Sequence, residues 1–192
     1  SICSTSAGTV GGSRYGIAKE ANIISVKCLN STGSGTGTGI IAAIDWVVRQ
    51  PRPNGAVINL SLGTGSVYGP LNDAAESAVA AGVHVVVAAG NSNVSACGTS
   101  PASAANVITV GAAGKDDARA SFSNYGSCVD IFAPGVDIES CYVVQDRYSL
   151  SSGTSMSSPH VAGVAALLLQ EDVTLTPAQL TAIMISDQQK ES

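Results

Sequence analysis

The stretch Gly153-Thr154-Ser155-Met156-Ser157-Ser158-Pro159-His160-Val161-Ala162-Gly163 runs directly into Val164-Ala165-Ala166-Leu167-Leu168-Leu169, and the rest of the chain is organised around it. Gly153 predicts a tight turn, and the small residues and apolar run that follow predict a helix. We place Pro159 in the first turns of that helix, where its missing N–H costs little. Ser155 then lies where a loop becomes a helix, beside unpaired backbone N–H groups and the positive end of the helix dipole.

Two interpretations of Ser155 follow from this position. A serine beside a helix start is ordinarily a cap. The alternative is a nucleophile, because an alkoxide or oxyanion that forms there meets positive potential. The whole eleven-residue string resembles the nucleophile segment of the subtilisin-like serine proteases, closest to the proteinase K and aqualysin branch. This resemblance favours the nucleophile.

Length and composition indicate the class of fold and exclude some partners. The chain has 192 residues, 45% hydrophobic and 12% charged, which suits one domain with a largely buried α/β sheet. A net charge of −5 argues against nucleic acid as a partner. No apolar run reaches the roughly 18 residues of a membrane span, and no signal-peptide pattern is visible.

Apolar strand patterns alternate with helical patterns along the chain. We predict strands at 22–27, 56–60, 83–89, 106–111 and 129–133, and helices at 40–48, 72–81, after Gly153, and at 177–186 with Thr176 as N-cap. This alternation predicts a mostly parallel sheet covered by helices on both sides, a three-layer αβα arrangement like that of subtilisin. The loops at Gly63, Gly90 and Pro134 should then meet Ser155 at one rim, where the strands end.

Asn91 closes the strand pattern in Ala88-Ala89-Gly90-Asn91. On its residues alone it is equally a turn asparagine. The resemblance implies an amide that donates to the oxyanion of an acyl-transfer intermediate, because the family's oxyanion asparagine stands in this setting.

Three short segments resemble the family's substrate-binding elements. Ser61-Leu62-Gly63 and Gly33-Ser34-Gly35 look like the two segments that flank an extended peptide and pair with its backbone. Ala88, Ala89 and Gly90 would form the floor of the first specificity pocket. Such small residues leave room for an apolar or aromatic side chain.

A calcium site is also implied by the resemblance. In proteinase K-like enzymes, the positions that match Asp130, Ala105 and Val107 hold calcium through one carboxylate, two carbonyls and waters. Oxygen ligands alone suit Ca²⁺. Ala105 departs from the family, which has proline there, and a lone aspartate at a strand start is usually only solvated. The chemistry itself requires no cofactor.

The five cysteines lie at positions 3, 28, 97, 128 and 141, so at least one thiol is unpaired. The resemblance implies a disulfide between Cys97 and Cys128. Cys28 lies in an apolar strand pattern and is expected to be a buried thiol. Spacing leaves the pairing of Cys3 and Cys141 open.

A serine nucleophile needs a base, and the base needs an orienting carboxylate. The segment 7–12 fits the end of the family's histidine motif, and counting back from Ala7 puts the base position on Ile2. The family's aspartate would lie still further upstream. His84 opens an apolar strand and is expected in the core, and His160 should face another side of its helix. Asp45 has no reason to face the site.

We therefore expect residues 1–192 to be part of a subtilisin-like peptidase domain, with the histidine and aspartate on another segment and little activity in this chain alone. A non-catalytic peptide-binding homologue and a truncated gene product are the alternatives. The expected partners are extended polypeptides, and the chain's own N-terminal segment or propeptide. A secreted monomer is expected, with no partner nucleic acid or membrane.

Overall fold

A computed structural model describes residues 2–141 and 148–188, with side chains from residue 5 to residue 186 outside that gap. The helices are α1 (Ile2–Gly11), α2 (Gly37–Arg49), α3 (Gly69–Ala80), α4 (Thr154–Glu171) and α5 (Pro177–Gln188), and the strands are β1 (Val57–Leu60), β2 (His84–Ala88), β3 (Ile108–Ala113), β4 (Ile131–Pro134), β5 (Ile138–Cys141) and β6 (Tyr148–Ser151). Helix and strand alternate, as the sequence predicts.

The central sheet has four parallel strands in the order β1-β2-β3-β4. Its register pairs Val57 with His84, Val86 with Ile108, and Val110 with Ile131. Every residue of β2 is buried, because helices cover both faces of the sheet. Strands β5 and β6 form a separate antiparallel pair.

Two apolar clusters form the core on the two faces of the sheet, and a third, smaller one contains Ala89, Ala96 and Ala102. On one face, Val85 and Val87 pack with Ile44 of α2 and Leu71 of α3. On the other, Val86, Val110 and Ile131 pack with residues of α4 and α5, among them Ala165 and Leu180. The three-layer αβα arrangement is confirmed, and α1 packs along α4 on the second face.

One predicted strand is wrong. Residues 22–27 belong to no strand, and Ile23 and Ile24 are 42% and 63% exposed. The apolar pattern is that of a strand, but a strand forms only where a neighbour accepts its backbone hydrogen bonds. Cys28 therefore lies outside any strand and is only half-buried, where it packs against the apolar cluster that contains Ile44 and Leu71.

The predicted ends of the other elements shift by a few residues. Asn106 has a φ of 63°, so its turn delays β3 to Ile108. Thr176 caps α5 as predicted: its N–H donates to Gln179 Oε1 at 2.9 Å, and Gln179 N–H donates back to Thr176 Oγ1 at 3.4 Å.

Cysteine pairing agrees with the resemblance where the structure describes it. Cys97 and Cys128 form a disulfide, with their Cα atoms 5.3 Å apart. Cys141 is half-buried, and the side chain of Cys3 lies outside the described residues. Among the described helices, none is both long and apolar enough to cross a membrane.

Candidate active site

The ends of the parallel strands converge on the first turn of α4, as predicted. Ser155 Oγ donates to Ser61 O, just beyond β1, at 3.1 Å. Gly153 N–H donates to Gly135 O, just beyond β4, at 2.8 Å. Gly153 has a φ of 151°, which side chains rarely adopt, and this backbone turns the chain into the helix at Ser155.

Asn91 is held against the same turn by its side-chain oxygen. Asn91 Oδ1 accepts hydrogen bonds from Thr154 N–H at 2.8 Å and Thr154 Oγ1 at 3.0 Å. Thr154 Oγ1 in turn accepts from Gly90 N–H at 3.1 Å. Because the amide oxygen takes these donors, the amide nitrogen is left to donate elsewhere. A Cβ built on Gly153 would lie 3.5 Å from Asn91 Nδ2, 3.7 Å from Asn91 Oδ1 and 3.8 Å from Ser155 N, so the Asn91 amide and the Ser155 N–H both lie near Gly153.

Pro159 corrects a detail of the sequence analysis. It is the sixth residue of α4 and not in its first turn, so its missing N–H removes an internal helix bond to Ser155 O. The hydroxyl of Ser61 replaces that donor at 2.9 Å. The segment after β1 therefore contacts Ser155 twice, once at its carbonyl and once at its hydroxyl.

The Ser61 hydroxyl is the centre of a buried polar group. Besides Ser155 O, it contacts Ser6 Oγ at 3.0 Å, Asn59 Nδ2 at 2.9 Å and Ser158 Oγ at 3.0 Å. A hydroxyl has one proton and two lone pairs, so four contacts exceed its capacity. Asn59 Oδ1 is buried and lacks a hydrogen-bond partner among the described residues.

Helix α1 carries three buried hydroxyls, of which Ser6 contacts this group. Thr5, Ser6 and Thr9 are all at least 91% buried, Ser6 against Ser61. Ser140 Oγ of β5 donates to Thr5 O at 2.7 Å. The side chain of Ile2, which the resemblance places at the base position, lies outside the described residues.

Neither histidine contacts the Ser155 hydroxyl. His84 is 2% exposed at the start of β2, and burial lowers its pKa against a hydrogen bond with the Leu175 backbone. His160 Nδ1 is 2.8 Å from Met156 O, and burial lowers the pKa of that ring too. The predicted core position of His84 is confirmed. Asp45 is exposed on α2.

The predicted substrate segments lie at the same end of the sheet or in exposed loops. Gly33, Ser34 and Gly35 are exposed. Leu62 is half-buried and Gly63 is exposed. Ala88 and Ala89 are 6% and 0% exposed and Gly90 is half-buried, so a substrate could reach the backbone here more readily than the side chains.

The candidate calcium ligands remain a prediction. Asp130 Oδ2 accepts from Thr109 N–H at 2.8 Å, and its other oxygen could still bind a cation. Asp130 is exposed as a residue, yet partial burial of its carboxyl raises the pKa of that group against the effect of the hydrogen bond. Ala105 is exposed and Val107 is buried. In the described ranges, no three His, Cys, Asp or Glu side chains gather as a metal-binding group.

Sequence reasoning missed the residues that hold Asn91 in place. Thr154 lies in the Gly153–Gly163 stretch, directly before Ser155, and that position is the one sequence signal for its role. Asn124 is 1% exposed and bonds to the backbone around Asn91, but its Ser123-Asn124-Tyr125-Gly126 context reads only as a turn.

Comparison with known proteins gives a consistent family. The subtilase family model matches residues 3–191. The alkaline serine exoprotease A of Vibrio alginolyticus is 50% identical over 94% of this chain and 33% of the relative, and the extracellular serine proteinase of a Thermus species is 49% identical over 93% and 43%. The crystal structure of a cold adapted subtilisin-like serine proteinase superposes with a TM-score of 0.90 at 50% identity, over 95% of this chain and 66% of that one. The chain thus spans less than half of the length of each of these two curated relatives.

Proposed function

This chain belongs to the subtilase family, and from that premise we propose that it carries the nucleophile half of a serine endopeptidase active site. The observation that supports this most is that hydrogen bonds hold Asn91 against the first turn of α4, the turn that carries Ser155. Asn91 Nδ2 and Ser155 N both lie near Gly153, and Ser155 Oγ belongs to the same residue as that backbone N–H. Two donors beside a hydroxyl suit acyl transfer.

Each group has a role in the proposed reaction. Ser155 Oγ attacks the carbonyl carbon of the substrate, and its proton passes to a base. The carbonyl oxygen becomes an oxyanion that accepts hydrogen bonds from Ser155 N–H and Asn91 Nδ2. When the C–N bond breaks, the base returns the proton to the leaving amine, and water then hydrolyses the acyl-enzyme by the same steps.

The base and its orienting carboxylate are proposed to come from another segment of polypeptide. Ser155 Oγ donates to a backbone carbonyl, His160 contacts Met156 O, and His84 is buried on β2. We therefore expect the 192 residues alone to be essentially inactive. Donors without a base leave roughly 10³-fold catalysis over water in the serine proteases for which it is known.

The proposed substrate is an extended polypeptide that pairs with the backbone at residues 33–35 and 61–63. Both segments expose glycines, which allow close approach of another backbone. The Cys97–Cys128 disulfide fits an oxidising compartment and therefore a secreted protein. We also propose that the protein is a monomer and that Asp130 binds a structural Ca²⁺.

A non-catalytic peptide-binding protein is the second candidate. The hydroxyl of Ser155 is engaged with Ser61 O, which is a resting arrangement that needs no base. Such a chain would keep the peptide-binding segments and bind without cleaving.

Cleavage of an unfolded protein, followed by mass spectrometry, separates these candidates. The purified chain is tested alone and mixed with a polypeptide that carries the family's aspartate and histidine segments, each beside Ser155→Ala. The endopeptidase proposal expects cleavage only in the mixture, abolished by Ser155→Ala. Saturable peptide binding without cleavage in either sample would favour the second candidate. Cleavage by the chain alone would contradict the proposed separate base.

A further inference from the structure

Asn124 lies in the loop between β3 and β4 and reaches across to the end of β2. Its side chain is 1% exposed. Asn124 Nδ2 donates to Ala89 O at 2.8 Å, while Oδ1 accepts from Ser92 N–H at 3.1 Å and Val94 N–H at 3.2 Å. Its backbone N–H donates to Gly90 O at 2.9 Å. One residue thus bonds to the backbone on both sides of Asn91.

The shape of this turn depends on Asn124 in a second way. Gly90 has a φ of 104°, which favours glycine. The position that a Cβ on Gly90 would occupy is taken by the Asn124 amide nitrogen. The Asn124 side chain therefore fills the space under the turn as well as satisfying its polar groups.

Asn124 is itself fixed to the sheet through its neighbour. Ser123 is 0% exposed, and its Oγ donates to Asn124 O at 2.9 Å while accepting from Ala112 N–H of β3 at 3.0 Å. The Asn91 turn is thereby connected to β3 on one side. Thr154 of α4 holds it from the other side, through Gly90 N–H and Asn91 Oδ1.

Removal of the Asn124 side chain would leave three backbone groups without their partners. Ala89 is fully buried, so its carbonyl has little access to replacement water. The turn would be expected to rearrange to recover hydrogen bonds, and Asn91 would move with it. A displacement of about 1 Å in such a group can lower turnover by roughly 10²-fold.

We propose that Asn124 is a positioning residue for Asn91: it fixes the backbone on both sides so that the Asn91 amide nitrogen faces the space beside Ser155. Asn124 touches no reacting atom. The inference rests on the proposed function only for the catalytic meaning of that position. The position itself can be measured without activity.

The test is the side-chain ¹H–¹⁵N signal of Asn91 in the purified 192-residue chain, assigned by its loss in Asn91→Ala. It is compared in Asn124→Ala, in Asn124→Asp, which keeps the shape but not the donor, and in Thr109→Val. Thr109 Oγ1 donates to Ala102 O at 3.0 Å and is 1% exposed, so this control removes a buried side-chain to backbone bond outside the Asn91 turn.

We expect the Asn91 signal to shift and broaden in the folded Asn124 variants and to stay in place in Thr109→Val. When this chain is mixed with the polypeptide that carries the aspartate and histidine segments, the Asn124 variants should show a kcat about 10-fold to 10²-fold lower, with little change in KM. An unmoved Asn91 signal in a folded Asn124 variant, or an equal shift in Thr109→Val, would overturn the inference. A shifted signal together with full activity in Asn91→Ala would uphold the positioning and refute the oxyanion role.

Discussion

The first turn of α4 and the facing side of α1 are neighbours in the fold, but they are prepared for chemistry to very different degrees. Around α4, the ends of three strands fix Ser155 and Asn91 through hydrogen bonds of 2.8–3.1 Å. On α1, Ser6 contacts Ser61, and Thr5 and Thr9 contact residues of β5; the side chains of all three are hydroxyls. Hydroxyls of this kind do not take up a proton near neutral pH.

The two halves of the proposed site depend on different features of the chain. The nucleophile half depends on backbone groups at strand ends and a helix start, which the α/β sheet provides as it folds. In our proposal, the base half depends on particular side chains carried by another segment. A chain can therefore retain a well-ordered nucleophile without the group that activates it.

The largest effect should come from Asn91 itself. In the mixture that cleaves, Asn91→Leu should lower kcat by about 10²–10³, a size carried over from subtilisin, a member of the same family. KM should change little, because the amide would act on the oxyanion and not on the bound substrate. The measurement is steady-state kinetics on a peptide substrate, with Asn54→Leu, an exposed asparagine in the loop before β1, as control. An unchanged kcat in Asn91→Leu would contradict the role of Asn91 as a donor to the oxyanion.

Removal of the Cys97–Cys128 disulfide should give the next largest effect, on the free energy of unfolding. The Cys97–Cys128 disulfide closes a separation of 31 residues, which is worth about 3–4 kcal/mol in the free energy of unfolding. Urea unfolding of the Cys97→Ser, Cys128→Ser double variant should show a loss of this size. Cys141→Ser serves as control, because Cys141 forms no disulfide within the described part of the chain. Equal stability of the double variant and the native chain would contradict a stabilising role of this disulfide.

A double-mutant cycle between Ser61 and Pro159 sharpens the contrast with α1. Ser61→Ala leaves Ser155 O without a donor and should cost about 1–3 kcal/mol in urea unfolding. Pro159→Ala restores a backbone N–H that can donate to the same carbonyl, so Ser61→Ala should cost less in that background. Ser6→Ala on α1 should cost less than Ser61→Ala, because the Ser61 hydroxyl keeps its other contacts. Strictly additive Ser61 and Pro159 effects would show that they do not share Ser155 O.

The smallest effect concerns Asp130 and pH. Its folded pKa is raised, so the folded state binds the proton more tightly and stability falls as pH rises from about 3.9 through the folded pKa. Asp130→Asn keeps an acceptor for Thr109 N–H and should be more stable than the native chain at pH 7, with the gain vanishing in acid. Thermal unfolding with and without Ca²⁺ measures this. Calcium should stabilise the native chain and not Asp130→Asn, and a stabilisation of both alike would place any calcium elsewhere.

The sequence predicts the features that depend on local pattern. Apolar runs located four strands of the central sheet. Gly153 and the apolar run after it placed Ser155 at a helix start, while its role as nucleophile was implied by the family resemblance and not by the pattern. The strand at 22–27 failed because its pattern says nothing about whether a partner strand lies beside it. The start of α4 after Gly153 was predicted, but Pro159 is its sixth residue, where the missing N–H removes a bond to Ser155 O that the sequence analysis took as dispensable.

The contacts of Ser61 and Asn124 could not be predicted at all. Ser61 meets Ser155 across 94 positions, and Asn124 meets Ala89 across 35. Such pairs are brought together by the sheet register, and neither residue type indicates the partner that it will have. The positions that hold a site in place are therefore harder to find from sequence than the groups that act in it.

Labelling with a fluorophosphonate tests most directly whether Ser155 is a prepared nucleophile that lacks its base. The folded chain, checked by circular dichroism, is labelled alone and with the aspartate- and histidine-bearing polypeptide, and the site is read by intact mass and peptide mapping. We predict no labelling of the chain alone and labelling at Ser155 in the mixture, absent in Ser155→Ala. Labelling at Ser155 in the chain alone, or none in either sample, would contradict this account.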